Sequence, residues 1–176
     1  MWKSVSALLL LTLLVGIETA EAAKKHSGVA LRYLRPAAFE ELPESIVRNL
    51  ESRKCMIPQY PKSWTATDRI NLVRGEFAKA GQNDWSVICA DATDETLLVF
   101  WNGTDKDPAE ISLGPRDTYL VTAKVPKETI AQSYASQMNG ITPDHDAIGV
   151  TGNDNQMIVH YFHQGKWMDL HPTARP

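Results

Sequence analysis

His145 and Asp146 are the residues of this chain best suited to chemistry, flanked by Pro143 and Asp144 and followed by His160, His163 and His171. Neutral imidazoles and carboxylates at the ends of neighbouring strands can bind zinc or share a proton in acid–base catalysis. Their spacing argues against one shared centre. On a strand, side chains three positions apart leave opposite faces, so His160 and His163 cannot ligate one ion without a bulge. No His-Glu-x-x-His occurs, and Asp144-His145-Asp146 after a proline is equally good turn chemistry. A Gly-x-Ser-x-Gly elbow, a Walker loop and Gly-x-Gly-x-x-Gly are all missing. The expectation is a hydrogen-bonded turn at 144–146, with no catalytic, cofactor-binding or metal-ligating residue assigned and no cofactor.

Cys55 and Cys89 are the only two cysteines, and their chemistry depends on where the chain goes. Met1 to Ala22 reads as a secretory signal peptide: Lys3, then an apolar run from Ala7 to Ile17, then Ala20-Glu21-Ala22 as a small-x-small cleavage site. The run is well short of the ~20 residues of a spanning helix, and no later apolar run approaches that length. The remaining domain, 23–176, is expected to be exported to the periplasm or the extracellular space without a membrane span. In that oxidising setting the even pair Cys55 and Cys89 is expected to close a disulfide. Loop-closure entropy makes it worth ~3.5–4 kcal/mol at most.

Four tryptophans follow the signal segment, and flat, weakly hydrated rings can form a sugar platform. Trp85 shares strand parity with Val87 and Cys89, and Trp101 with Leu97 and Val99, so both are expected in the core. Trp64, in a Pro-flanked linker, is the one expected to be exposed. Charge narrows the partners. The full chain of 176 residues carries 18 Lys+Arg against 21 Asp+Glu, a net −3, which excludes a broad basic surface for nucleic acid. Removing Lys3, Glu18 and Glu21 with the signal segment leaves a net −2. Asn102-Gly103-Thr104 is a glycosylation sequon, meaningful only in a eukaryotic host.

The elements that must position these residues follow from hydrophobic period. Phe39, Leu42, Ile46, Val47 and Leu50 share one helical face, predicting a helix over about 42–53 with Pro43 in its first turn. Ile57 to Pro61 reads as extended linker. Strands are predicted at 70–74, 85–90, 96–101 and 119–125, with a polar loop over 102–117. Leu97 to Trp101 is apolar at both parities, so that strand must be covered on both faces. A second helix is predicted from Pro126 to Gly140 on Ile130, Tyr134 and Met138, followed by strands at 147–151, 157–162 and 166–170. Asn153-Asp154-Asn155 and Gln164-Gly165 supply tight turns. The fold class is α+β: a single antiparallel sheet of five to seven strands with two helices, in one domain.

The stretch from Gly75 to Cys89 is the most distinctive. Gly75, Phe77, Gly81 and Asp84 resemble the frame of the calcium-loop hairpin in FG-GAP repeats, but the ligand positions hold Ala78 and Ala80. Asp84 with Glu76 falls short of the six to eight oxygens calcium takes, so no metal is expected. Leu42-Pro43, Cys55, Ile57-Pro58-Gln59, Gly75, Phe77, Gly81-Gln82, Asp84-Trp85, Cys89 and Val99-Phe100-Trp101 together resemble a family of small exported bacterial proteins. The likeness extends through Asp144-His145-Asp146-Ala147-Ile148 to the closing hairpin from Tyr161 to Trp167; the family tends to have Gly where this chain has Ala147. The resemblance implies export and carries no activity with it. The functional expectation is a non-enzymatic, inhibitor-like or binding domain acting on a protein or cell-envelope component. The alternative is a metal-dependent or acid–base hydrolase centred on His145 and Asp146, for which Asp84, His145 and Asp146 must share a cleft.

Overall fold

The computed structural model describes residues 31–59 and 70–172; the signal-peptide reading and Trp64 lie outside the described residues. In chain order the elements are β1 (Arg32–Leu34), α1 (Glu44–Ser52), β2 (Ile57–Gln59), β3 (Leu72–Gly75), β4 (Asp84–Ala90), β5 (Asp94–Phe100), β6 (Ala109–Pro115), β7 (Tyr119–Val125), α2 (Lys127–Ser133), β8 (Ala147–Gly152), β9 (Met157–His163) and β10 (Lys166–Leu170). These strands form three antiparallel sheets: β1-β2, β3-β4-β5-β6 and β10-β9-β8-β7. The single sheet of five to seven strands expected from the sequence is therefore incorrect.

The break falls between β6 and β7, and its cause is local. Pro115 has no N–H for a ladder, and Gly114 and Asp117 adopt φ of 104° and 65°. The chain swings out of the first sheet there, and β7 lies beside β3 as the first strand of a second sheet.

Strand parity then assigns four layers. One face of the first sheet, carrying Trp85, Val87, Cys89, Leu98 and Phe100, packs under Phe39, Leu42, Ile46 and Leu50 around α1. Its other face, carrying Ile88, Leu97, Val99 and Leu113, meets Ile148 and Val150 of the second sheet, with Phe77 between them. The far face of the second sheet, with Val125, Ala147, Val159 and Tyr161, is covered by Ile130, Tyr134 and Met138. The two-sided cover demanded by Leu97 to Trp101 is thus α1 on one face and a second sheet on the other.

Three elements differ from expectation. Ile57–Gln59, read as part of an extended linker, is strand β2, paired antiparallel with β1. Part of the predicted polar loop over 102–117 is β6, in which Ala109, Ile111 and Leu113 alternate toward the inter-sheet core while Glu110 pairs with Arg53 at 2.6 Å. The helix predicted to reach Gly140 is regular only to Ser133. Tyr134 leaves the helical region at φ −125°, and a 3₁₀ turn at Ala135–Gln137 completes the path. Ile130, Tyr134 and Met138 are nevertheless all buried. Cys55, just past α1, is disulfide-bonded to Cys89 of β4 with a Cα–Cα distance of 5.1 Å. No described helix is long and apolar enough to cross a membrane.

Candidate functional site

Asp84, the residue that most resembles a cation ligand, is fully buried and surrounded by donors. Its Oδ2 accepts the N–H groups of Phe77 and Ala78 at 2.8 and 3.0 Å. Oδ1 accepts Gln82 Nε2 at 2.7 Å and the Asn102 N–H at 2.8 Å. Four donors satisfy both oxygens, which is the opposite of what a metal site requires. The carboxylate instead closes the 77–82 loop and welds it to the 3₁₀ turn Trp101–Gly103.

Other motif residues are tied up in the same way. The Gln59 side-chain amide imitates a strand neighbour, donating to the Ile70 carbonyl and accepting the Ile70 N–H at 3.0 Å. Buried Asn71 bridges elements, its Nδ2 donating to the Pro58 carbonyl at 2.9 Å and its Oδ1 accepting the Thr122 N–H at 2.8 Å. Gly75 is required by close approach: an added Cβ would stand 2.5 Å from the buried Phe77 ring.

His145 and Asp146 are brought together in sequence but not in space. Both lie in the bend just before β8, and their contacts point opposite ways. His145 is buried with Nδ1 2.8 Å from the Asp146 carbonyl, and its ring stacks on Tyr161 with centroids 4.4 Å apart. The Tyr161 hydroxyl lies 3.2 Å from Asp144 Oδ1, and burial pushes its phenol pKa up. Asp146 turns the other way. Its N–H donates to the Glu76 carbonyl at 3.0 Å, its Oδ2 accepts the Glu76 N–H at 3.4 Å, and Lys124 Nζ stands 3.7 Å off. That two-way clasp joins the second sheet to the chain following β3.

The remaining histidines scatter. His160 pairs across the ladder with Ile148 and with Asp169, so it faces the first sheet. Its Nδ1 is 2.7 Å from Asp169 Oδ1, and its buried Nε2 has no hydrogen-bond partner among the described residues. His163 lies on the opposite face, 6.4 Å from Tyr161, consistent with the three-residue spacing. The His171 backbone is held from both sides by the Gln137 amide. Among the described residues, no three His, Cys, Asp or Glu side chains converge to hold a metal.

One concave feature does gather polar chemistry. A cleft of about 410 Å³ is lined by Arg74, Glu76, Gln82, Asn83, Lys124 and Asp146, with Gly75 and Gly81 in its wall. Neither Asp84 nor His145 lines it, so Asp84, His145 and Asp146 do not share a cleft. An aromatic group stands at the same end of the two sheets. Trp101 and Trp167 stack with centroids 5.9 Å apart, and Phe162 packs 5.0 Å from Trp101 and 5.1 Å from Trp167.

All three rings are partly exposed at the end of the inter-sheet core. Two connections put them at the same end of the sheets as the cleft: Asp84 bonds both Gln82 and the turn carrying Trp101, and Asp146 precedes Ile148 by two residues as Phe162 follows its partner His160 by two. Trp101, expected in the core from its parity with Leu97 and Val99, packs against the inter-sheet core but is only partly buried. Trp85 is buried. Comparison with protein families, curated proteins and solved structures finds no match.

Proposed function

We propose that this protein is a non-catalytic, exported binding domain acting on a protein or cell-envelope component. The observation that carries this reading is that the partly exposed Trp101, Phe162 and Trp167 and the charged cleft at Arg74, Glu76, Lys124 and Asp146 stand at the same end of the two sheets. Aromatic rings beside exposed polar groups are the usual make-up of a recognition surface. The disulfide supports an oxidising address, and the signal-like segment supports export to the periplasm or beyond. The polar residues that looked catalytic each serve an internal bond: Asp84 four donors, Asp146 the Glu76 backbone, His145 a backbone carbonyl.

Co-sedimentation of the purified protein with washed bacterial envelope fragments tests the reading. Saturable binding that Trp167→Ala weakens is expected, and failure to bind any fraction overturns it. Metal analysis after chelator-free purification is the second arm. Stoichiometric zinc that disappears in His145→Ala would replace the binding reading with a metal-dependent hydrolase.

A further inference from the structure

We infer that this chain self-associates by pairing β10 with the β10 of a second copy, edge to edge and antiparallel, with Met168 on the twofold axis. Such pairing does not depend on what the protein binds. The two four-stranded sheets have four edges, and three of these are closed or blunted. β3 and β7 lie together, with the Asn71 side chain taking up the Thr122 N–H. β6 is interrupted by a register shift opposite Glu95/Thr96, by Gly114 at φ 104° and by Pro115. Among the described residues, β10 has no proline, no bulge and no strand on its outer side. A regular open edge of this kind is a template for another strand.

The ladder fixes which backbone groups are open. His163 and Lys166 close the two-residue hairpin at Gln164-Gly165 as a hydrogen-bonded pair, and bonded and non-bonded pairs alternate from there. Lys166, Met168 and Leu170 therefore bond β9, while the N–H and C=O of Trp167 and Asp169 point outward. His171 shares that outward parity, and the Gln137 amide already takes both of its backbone groups. The open edge is thus bounded by a turn at one end and by Gln137 at the other. Length selects the occupant. A longer extended strand would run into Gln137. A second β10, set antiparallel with Trp167 opposite Asp169, makes four backbone bonds and reaches the level of His171 with its own Gly165, where it turns away. Sliding two residues one way sets Asp169 against Asp169; sliding the other way keeps only a Trp167 pair. The same register places Met168 opposite Met168 on the α2 face and the two Trp167 side chains diagonally on the other. Both are partly exposed in the single chain, and contacts between such cross-strand pairs are stabilising. A closed twofold is the commonest form of self-association.

The test is sedimentation velocity and light scattering of the purified protein from low to high micromolar concentration. A concentration-dependent dimer of twice the chain mass is expected. Met168→Lys sets two ammonium groups face to face and should raise the dissociation constant by about tenfold, with an unchanged far-UV circular dichroism spectrum showing that the fold survives. Met168→Cys reads the register directly. A non-hydrogen-bonded pair brings Cα atoms to about 4.5 Å, within disulfide range, so mild oxidation should link the dimer at that position. Lys166→Cys, at a more exposed position but roughly 13 Å or more from its symmetry mate in this register, should link much more slowly. A monomer at every concentration overturns the inference and leaves the edge to a strand of another protein or of a segment outside the described residues. A dimer that Met168→Lys leaves intact, or one in which Lys166→Cys links as fast as Met168→Cys, also overturns it, because association then uses another face.

Discussion

Removing the Asp84 carboxylate would leave the N–H groups of Phe77, Ala78 and Asn102 without a partner in a buried setting. Each orphaned buried donor costs about 1–3 kcal/mol, so Asp84→Ala should lower stability by several kcal/mol in chemical denaturation. Asp84→Asn separates the partners. With its carbonyl toward Phe77 and Ala78, its amide meets Gln82, whose own amide can flip to accept; only the Asn102 N–H is lost. The expected result is a milder loss of about 1–3 kcal/mol, with faster hydrogen exchange at Asn102 and protection retained at Phe77 and Ala78. Tyr33 gives a pH prediction. Its hydroxyl donates to Asp117 with Arg116 over its ring, and burial, then the Asp117 bond, pushes its pKa up to about 12. The unfolded phenol ionises near 10, so between about pH 10 and 12 the folded state holds a proton the unfolded state has lost. Stability should therefore fall as pH rises through that window and be pH-independent for this group below it. Burial also raises Tyr134 and Tyr161, so Tyr33→Phe should make the alkaline fall shallower without abolishing it.

Asn71 and Gly75 matter through the elements they hold together. Asn71, at φ 64°, ties β2 to β7 through its side chain while its own carbonyl accepts the Ile88 N–H of β4. Asn71→Ala leaves the Thr122 N–H unpaired, the Pro58 carbonyl keeping its Gln59 amide donor, and puts alanine, which tolerates the left-handed region less well than asparagine, at φ 64°. A loss of roughly 2–4 kcal/mol is expected, read as a lower urea midpoint, with Asn71→Gly recovering only the backbone share. Gly75→Ala should cost about 1–3 kcal/mol because the Phe77 ring must yield inside a packed core. The element-scale comparison with the sequence is instructive at β6. Ala109, Ile111 and Leu113 do alternate, but small Ala109, Ser112 and Gly114 dilute the signal among flanking charges and prolines. The α1 face was legible because five large apolar side chains fall within twelve residues, enough to exceed any local competitor.

At the scale of the whole molecule, the disulfide tests whether the two halves of the sandwich depend on each other. Cys55–Cys89, 34 positions apart, joins the end of α1 to β4 of the first sheet. Reduction should lower stability by about 2–4 kcal/mol, measured as a shift in urea midpoint. The loss should appear first as faster hydrogen exchange in α1, with α2 and β7–β10 following only if the sandwich unfolds as one unit. The cysteine pairing, the α1 face, the Trp85–Cys89 parity and the separation of His160 from His163 were legible in the sequence, because each follows from oxidation context or from a period of 2 or 3.6 residues. The partition into two packed sheets, the turning of His145 and Asp146 onto opposite faces, the four donors gathered around Asp84, and the meeting of Trp101 with Phe162 and Trp167 were decided only by tertiary structure. Those features join residues tens of positions apart, and no local periodicity encodes which edge strand leaves its sheet or which distant side chain arrives at its side.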